Sequence, residues 1–239
     1  EVSIGREEQE AINHRLTRTQ PDIEVGIMSA RELTFEILSD GAGPRKACLR
    51  EGKIEYDGAL YDELYFEAKT PSTMFAEPSF ILHDVTIGVN FHWERKEDQK
   101  FAGALKIIVE KDKLTAVNVV GIEDYLLSVI SSEMSSSASE EFLKAHAVIS
   151  RSWLMVQIAS ASSDSGTVPE SVRNLPSLLT DLDIRMHAPE DIAKEGFEHI
   201  KWYDHEDHIH FDVCADDHCQ RYQGLTRATG GTVRKVIDR

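Results

Sequence analysis

The sequence predicts an α+β fold, with a β-rich N-terminal part and a helical part that carries the chemistry. Three observations support this. Runs of β-branched and aromatic residues fill the first half. The pattern changes to a helical period after Gly121. Turn residues punctuate the early runs, whereas the later helical segments are broken by serines. The 239 residues suffice for one large domain or two small ones. They divide into a polar leader segment at 1–21, a β-rich region at 22–120 and a region at 121–239 with an insertion at about 160–205.

Strands are expected at IEVGIMSA (Ile23–Ala30) and LTFEIL (Leu33–Leu38), flanking the charged pair Arg31–Glu32. A loop with Gly41, Gly43 and Pro44 follows. Further strands are expected in KIEYDG, ELYFEA and FILHDVTIGVNFHW, and in a hairpin, ALKIIVEKDKLTAVNVVG, whose polar turn is Lys111-Asp112-Lys113. In IEDYLLSVISSEM, helical spacing puts Ile122, Tyr125, Leu126, Val129 and Ile130 on one face. Ser137 and Glu140 have capping-box spacing, and EEFLKAHAVISRSWLMVQIA reads as the next helix. Its expected buried stripe is Phe142, Ala145, Ile149, Trp153 and Val156, with Lys144, Ala147 and Arg151 on another side. A further helical start is expected at Pro189.

Composition narrows the function. With 41% hydrophobic and 28% charged residues the chain reads as globular, and no apolar run approaches the roughly 18 residues of a membrane span. A net charge of -16 argues against nucleic acid, which attracts a surplus of Lys and Arg. A neutral glycan remains open, since sugars are held by hydrogen bonds and stacking. Three cysteines do not make a disulfide scaffold, and Cys48 reads as a small core residue.

The segment DHEDHIHFDVCADDHCQRYQG, Asp204–Gly224, holds four of the ten histidines and two of the three cysteines. His208, His210, Asp212 and Cys214 alternate and would share one face of a strand, and Cys219 follows after four intervening residues. Zinc takes such thiolates with one or two imidazoles. A Cys214–Cys219 disulfide, or two unlinked thiols among surface histidines, fits the same spacing. His205 and His218 read as exposed, and Glu133 taken alone reads as a solvated residue at a helix end.

Four ordered motifs change the weight given to Glu133. They are Ile122-Glu123-Asp124-Tyr125-Leu126; Ser132-Glu133-Met134; Leu143-Lys144-Ala145-His146-Ala147-Val148 with Arg151; and Cys219-Gln220-Arg221-Tyr222-Gln223-Gly224. Together they resemble the SpoIID/LytB family, the stage II sporulation protein D and amidase-enhancer group of bacterial cell-wall proteins. Coverage is best over 117–224. The departures are a missing proline near Ser-Glu-Met, His146 in place of the usual glutamine, and a long gap before the Cys-Gln motif. Members normally continue into a further strand-rich stretch, so a truncated chain or a divergent member is expected.

The resemblance implies a peptidoglycan lytic transglycosylase in the cell envelope, exported or periplasmic, with Glu133 as its catalytic acid and base. It implies glycan strands as the substrate, with a cell-wall amidase as a further partner. Tyr125, Ser132, Lys144, Arg151, Gln220 and Tyr222 become candidates for binding substrate. For Lys144 and Arg151 a salt bridge competes with that role, and for Tyr125 a place in the core does. The resemblance also implies zinc on His208, Cys214 and Cys219, with His210 as the alternate and a structural role for the ion. Two rival functions stand beside this one: a non-enzymatic glycan-binding module or amidase activator, and a zinc-dependent cell-wall hydrolase.

Overall fold

A computed structural model describes residues 21–67, 77–88, 91–134, 138–164, 208–216, 218–228 and 231–237. The leader at 1–20, Ser137, the insertion from 165 onward, the helical start at Pro189 and His205 lie outside the described residues. Residues up to Gln157 and from His208 onward form one compact unit, which carries everything below.

Eleven strands are described. They are β1 (Asp22–Ala30), β2 (Glu32–Ile37), β3 (Arg45–Arg50), β4 (Lys53–Tyr56), β5 (Ala59–Tyr61), β6 (Glu63–Phe66), β7 (Phe80–Ile87), β8 (Arg95–Phe101), β9 (Ala104–Glu110), β10 (Lys113–Gly121) and β11 (Val213–Cys214). The helices are α1 (Ile122–Glu133), α2 (Glu140–Asp164) and α3 (Gly231–Ile237). Five strands form one sheet in the order β11-β1-β10-β9-β6, and six form another in the order β5-β4-β3-β2-β7-β8. Every pairing is antiparallel except β1 with β11. The architecture is α+β and β-rich, as the sequence predicts.

The predicted hairpin forms between β9 and β10, with Glu110 opposite Lys113. Lys111 and Asp112 both take positive φ, 46° and 59°, the handedness that suits a two-residue turn to the twist of its strands. Alternation sends Ile23, Val25, Leu33, Phe35, Leu105 and Ile107 into the core. Aromatic rings join the sheets: Phe35 of β2 meets Phe66 of β6 with centroids 5.1 Å apart.

Three strands fall outside the expected set. β8 reads RKEDQKF, with only Gln99 and Phe101 buried, and it lies at a sheet edge, where charge protects against further pairing. β5 is the opposite edge and is exposed throughout. β3 buries Ala47 alone, so its sequence lacks an apolar alternation. Cys48 lies outside the core, its thiol 3.5 Å from Glu32 Oε2. Burial, followed by the neighbouring Glu32, pushes that thiol's pKa up.

Helix α1 follows the expected face: Ile122, Tyr125, Leu126, Val129 and Ile130 are all buried. Helix α2 does not. Phe142 is 48% exposed and Ile149 67%, while Leu143, Ala147, Ser150 and Leu154 are buried. The helix is turned so that the side bearing Ala147 faces inward. In that orientation Arg151 pairs with Glu123, and His146 Nε2 meets the Glu133 carboxylate.

Candidate functional site

Glu133 is the last residue of α1, and the next residue, Met134, leaves the helix with its N–H on the Ile130 carbonyl at 3.1 Å. A helix end directs this side chain beyond the core without burying it. Its side chain keeps 25% of its exposure, and that of His146 keeps 13%. His146 Nε2 lies 2.9 Å from Glu133 Oε2, and the backbone N–H of Arg221 donates to Oε1 at 3.1 Å. Both carboxylate oxygens are therefore held from opposite parts of the chain, one by α2 and one by the Cys-Gln motif.

That motif is anchored by a buried polar network. Tyr125 donates its hydroxyl to Gln220 Oε1 at 3.3 Å, and Gln220 Nε2 reaches the Ser150 carbonyl at 3.5 Å. Tyr222 donates to Asn118 Oδ1 at 2.6 Å, and the Gln223 N–H reaches Ser128 Oγ at 3.1 Å. The rings of Tyr125 and Tyr222 stack with centroids 5.1 Å apart and planes 16° apart. Burial pushes both phenol pKa values well up, so the hydroxyls stay protonated and act as donors. Gly224, at φ 56°, turns beneath the Lys100 carbonyl, where a Cβ would come within 2.3 Å.

The other expected binding residues separate by position. Tyr125, Gln220 and Tyr222 are buried, so their side chains pack in the core. Lys144 pairs within its own helix, 2.8 Å from Glu140 and 3.9 Å from Glu141. Arg151 ties α2 to Glu123. Ser132 stays beside Glu133. Among the described residues, three buried side-chain polar atoms have no partner: Ser131 Oγ, Ser132 Oγ and His146 Nδ1. All three belong to Glu133's neighbours in sequence or to its imidazole partner.

The His/Cys cluster takes shape on β1. The strand β11 runs parallel to it, with Val213 opposite Val25 and Cys214 opposite Gly26. Backbone bonds from Asp212 to Glu24 and from Ala215 to Gly26, both 2.9 Å, extend the pairing on either side. Gly26 allows the close approach, since a Cβ there would lie 2.6 Å from the Phe211 ring. Asp212 turns its carboxylate to the Glu24 N–H at 2.8 Å, away from the cluster, and burial pushes its pKa up. The regular strand is too short to align His208, His210, Asp212 and Cys214 on one face, and His210 is exposed.

Four donors converge instead: His208, Cys214, His218 and Cys219, each offering one atom within 4.8 Å of the others. His208 Nε2 is 3.4 Å from Cys219 Sγ, and His218 Nδ1 is 3.5 Å from Cys219 Sγ and 3.8 Å from Cys214 Sγ. His218 is exposed, as its sequence context suggests, yet it turns one nitrogen inward. Its position next to Cys219 was the available signal: adjacent residues in an irregular loop can face one point. Both thiols are free. The neighbouring Cys219 and then His208 hold the Cys214 thiol far below its usual range, while Cys214 pushes the Cys219 thiol up. Two sulfurs and two imidazole nitrogens are a donor composition of the kind zinc accepts.

In comparisons with known proteins, the family described as SpoIID, stage II sporulation protein, matches residues 110–238. No curated protein and no solved structure matches. The matched stretch is more than half of the chain and contains Glu133, His146, the Cys-Gln motif and all four cluster donors.

Proposed function

Because the chain belongs to the SpoIID family of stage II sporulation proteins, tied to sporulation and the cell wall, we propose that it cleaves peptidoglycan glycan strands as a lytic transglycosylase. The observation that carries this reading is the carboxyl group of Glu133, partly open to solvent and held on both oxygens.

Protonated, Glu133 gives its proton to the glycosidic oxygen while the C1–O bond breaks. Ionised, it takes the proton of the same sugar's 6-hydroxyl, whose oxygen closes on C1 as a 1,6-anhydro ring. The proton balance returns to its start and no water is consumed. This single-carboxyl scheme differs from the paired carboxylates of most glycosidases. His146, bonded to Oε2, orients the carboxyl.

Zinc, in this reading, would be held by His208, Cys214, His218 and Cys219 and would supply a structural cross-link between the segment that enters β11, β11 itself and the loop that leads to Arg221. Four protein donors suit a closed site, whereas zinc hydrolysis needs an open coordination position. The donor set therefore supports a structural ion and weighs against the zinc-hydrolase reading. Metal analysis of the purified protein should give one zinc per chain. Chelation should lower the Tm.

The test of function is incubation with purified glycan strands freed of stem peptides, followed by mass spectrometry of the new ends. The wild type should produce anhydro ends and Glu133→Gln should lose them by about 10²–10⁴-fold. Equal product from both would leave a glycan-binding or amidase-activating role.

A further inference from the structure

Cys214 and Cys219 are the two sulfurs of the His/Cys cluster, and the backbone brings them together by contacts that need no metal. Asp212 and Ala215 donate their N–H groups to the Glu24 and Gly26 carbonyls, both at 2.9 Å, which fixes Cys214 beside β1. The turn that follows closes on itself. The Cys219 N–H meets the Asp216 carbonyl at 3.0 Å, and the Tyr222 N–H meets the Ala215 carbonyl at 3.1 Å. Gln220 and Tyr222 are buried and hold the far end of that turn.

Their donor atoms lie within 4.8 Å of each other and of the two imidazole nitrogens. A disulfide needs its sulfurs at about 2.05 Å, so closure asks for movement of two side chains rather than of a strand. Both residues are half-buried and carry free thiols, and His218 beside them is exposed, which leaves the outer side of the cluster open to small solutes. The remaining cysteine, Cys48, belongs to β3 in the other sheet, with its thiol 3.5 Å from Glu32 Oε2. It has the same chemistry without a sulfur partner and serves as an internal control.

We propose that Cys214 and Cys219 form a redox switch, in which a peroxide joins the two sulfurs as a disulfide and so releases the metal. The proposal rests on the zinc reading given above. One thiolate attacks a peroxide oxygen; a sulfur–oxygen bond forms, the O–O bond breaks and hydroxide leaves. The second thiolate attacks the sulfenic sulfur; the S–S bond forms, the S–O bond breaks and a second hydroxide leaves. The two sulfurs together give up two electrons, the peroxide takes both, and the zinc departs with its charge unchanged. In the metal form four side chains share one centre. In the disulfide form the sulfurs stay joined, so the turn that leads to Arg221 remains closed, while His208 and His218 lose their common centre.

The test uses the whole chain, reduced, loaded with zinc and then exposed to hydrogen peroxide. A colorimetric chelator reads the metal, and intact mass spectrometry reads the sulfurs. About one zinc per chain should be released, and the product should weigh about 2 Da less than the reduced, metal-free chain. Peptide mapping should place the link between Cys214 and Cys219, and a thiol reductant with fresh zinc should reverse both changes. Cys48→Ser should behave as the wild type, whereas Cys214→Ser and Cys219→Ser should show no such loss of mass. Zinc retained under excess peroxide, release accompanied only by added oxygen, or a link that involves Cys48 would overturn the switch and leave the zinc reading standing. Failure of the reduced chain to take up zinc would remove both.

Discussion

Helices α1 and α2 are both rich in apolar residues, yet only α1 buries the stripe its sequence offers. Along α1 the buried residues run through Ile122, Tyr125, Leu126, Leu127, Ser128, Val129 and Ile130, so nearly every side is packed and rotation matters little. Along α2 the buried set is Leu143, Ala147, Ser150 and Leu154, while Phe142, Val148 and Ile149 face outward. The inward side of α2 carries Leu143 and Leu154, and the same side brings His146 to Glu133 and Arg151 to Glu123. Turning α2 to bury Phe142 and Ile149 would take His146 and Arg151 away from Glu133 and Glu123.

The largest test of this contrast separates the acid from its partner. Glu133→Gln should lower cleavage by about 10²–10⁴-fold, whereas His146→Gln, which retains a hydrogen-bonding side chain, should lose about tenfold or less. Equal losses would mean that the imidazole is as necessary as the acid.

Next comes packing. Leu154→Ala should cost about 2–5 kcal/mol in urea unfolding, and Ile149→Ala should stay within about 0.5 kcal/mol. The reverse order would restore the face expected from periodicity. Smaller still is the Glu123–Arg151 pair, whose side chains keep 19% and 37% of their exposure. A double-mutant cycle should give a coupling of about 0.5–1 kcal/mol, limited by solvent screening. A coupling near zero would mean that this contact adds nothing to the α1–α2 packing.

The smallest effect lies far from both helices. His83, and then the Asp84 N–H, lower the pKa of Asp98. Its contribution to stability is therefore present above the unfolded value near 3.9 and is lost as pH falls through the lower folded value. Asp98→Asn should flatten the fall in the urea midpoint between about pH 5 and about pH 3. An unchanged slope would show that the His83 contact carries no stability.

Legibility in the sequence followed the source of order. Strands β1, β2, β9 and β10 were readable because alternation and β-branching are local signals, and β8 was not because pairing with β7 alone makes RKEDQKF a strand. Glu133 was legible through a motif. Its geometry was not, since Arg221 reaches it from 88 residues away. His218 escaped for the same reason. Its nitrogen turns inward within an irregular loop, which no periodicity describes. Tyr125, Gln220 and Tyr222 were found as motif residues, and only packing distinguishes a buried floor from a sugar-facing wall.

The central claim is that one carboxyl group, Glu133, breaks a glycosidic bond with no water as reactant. Cleavage of glycan strands in water enriched in ¹⁸O tests it most directly. The new ends should be anhydro sugars that carry no ¹⁸O. Reducing ends that each carry one ¹⁸O atom would contradict the account and make the protein a hydrolase.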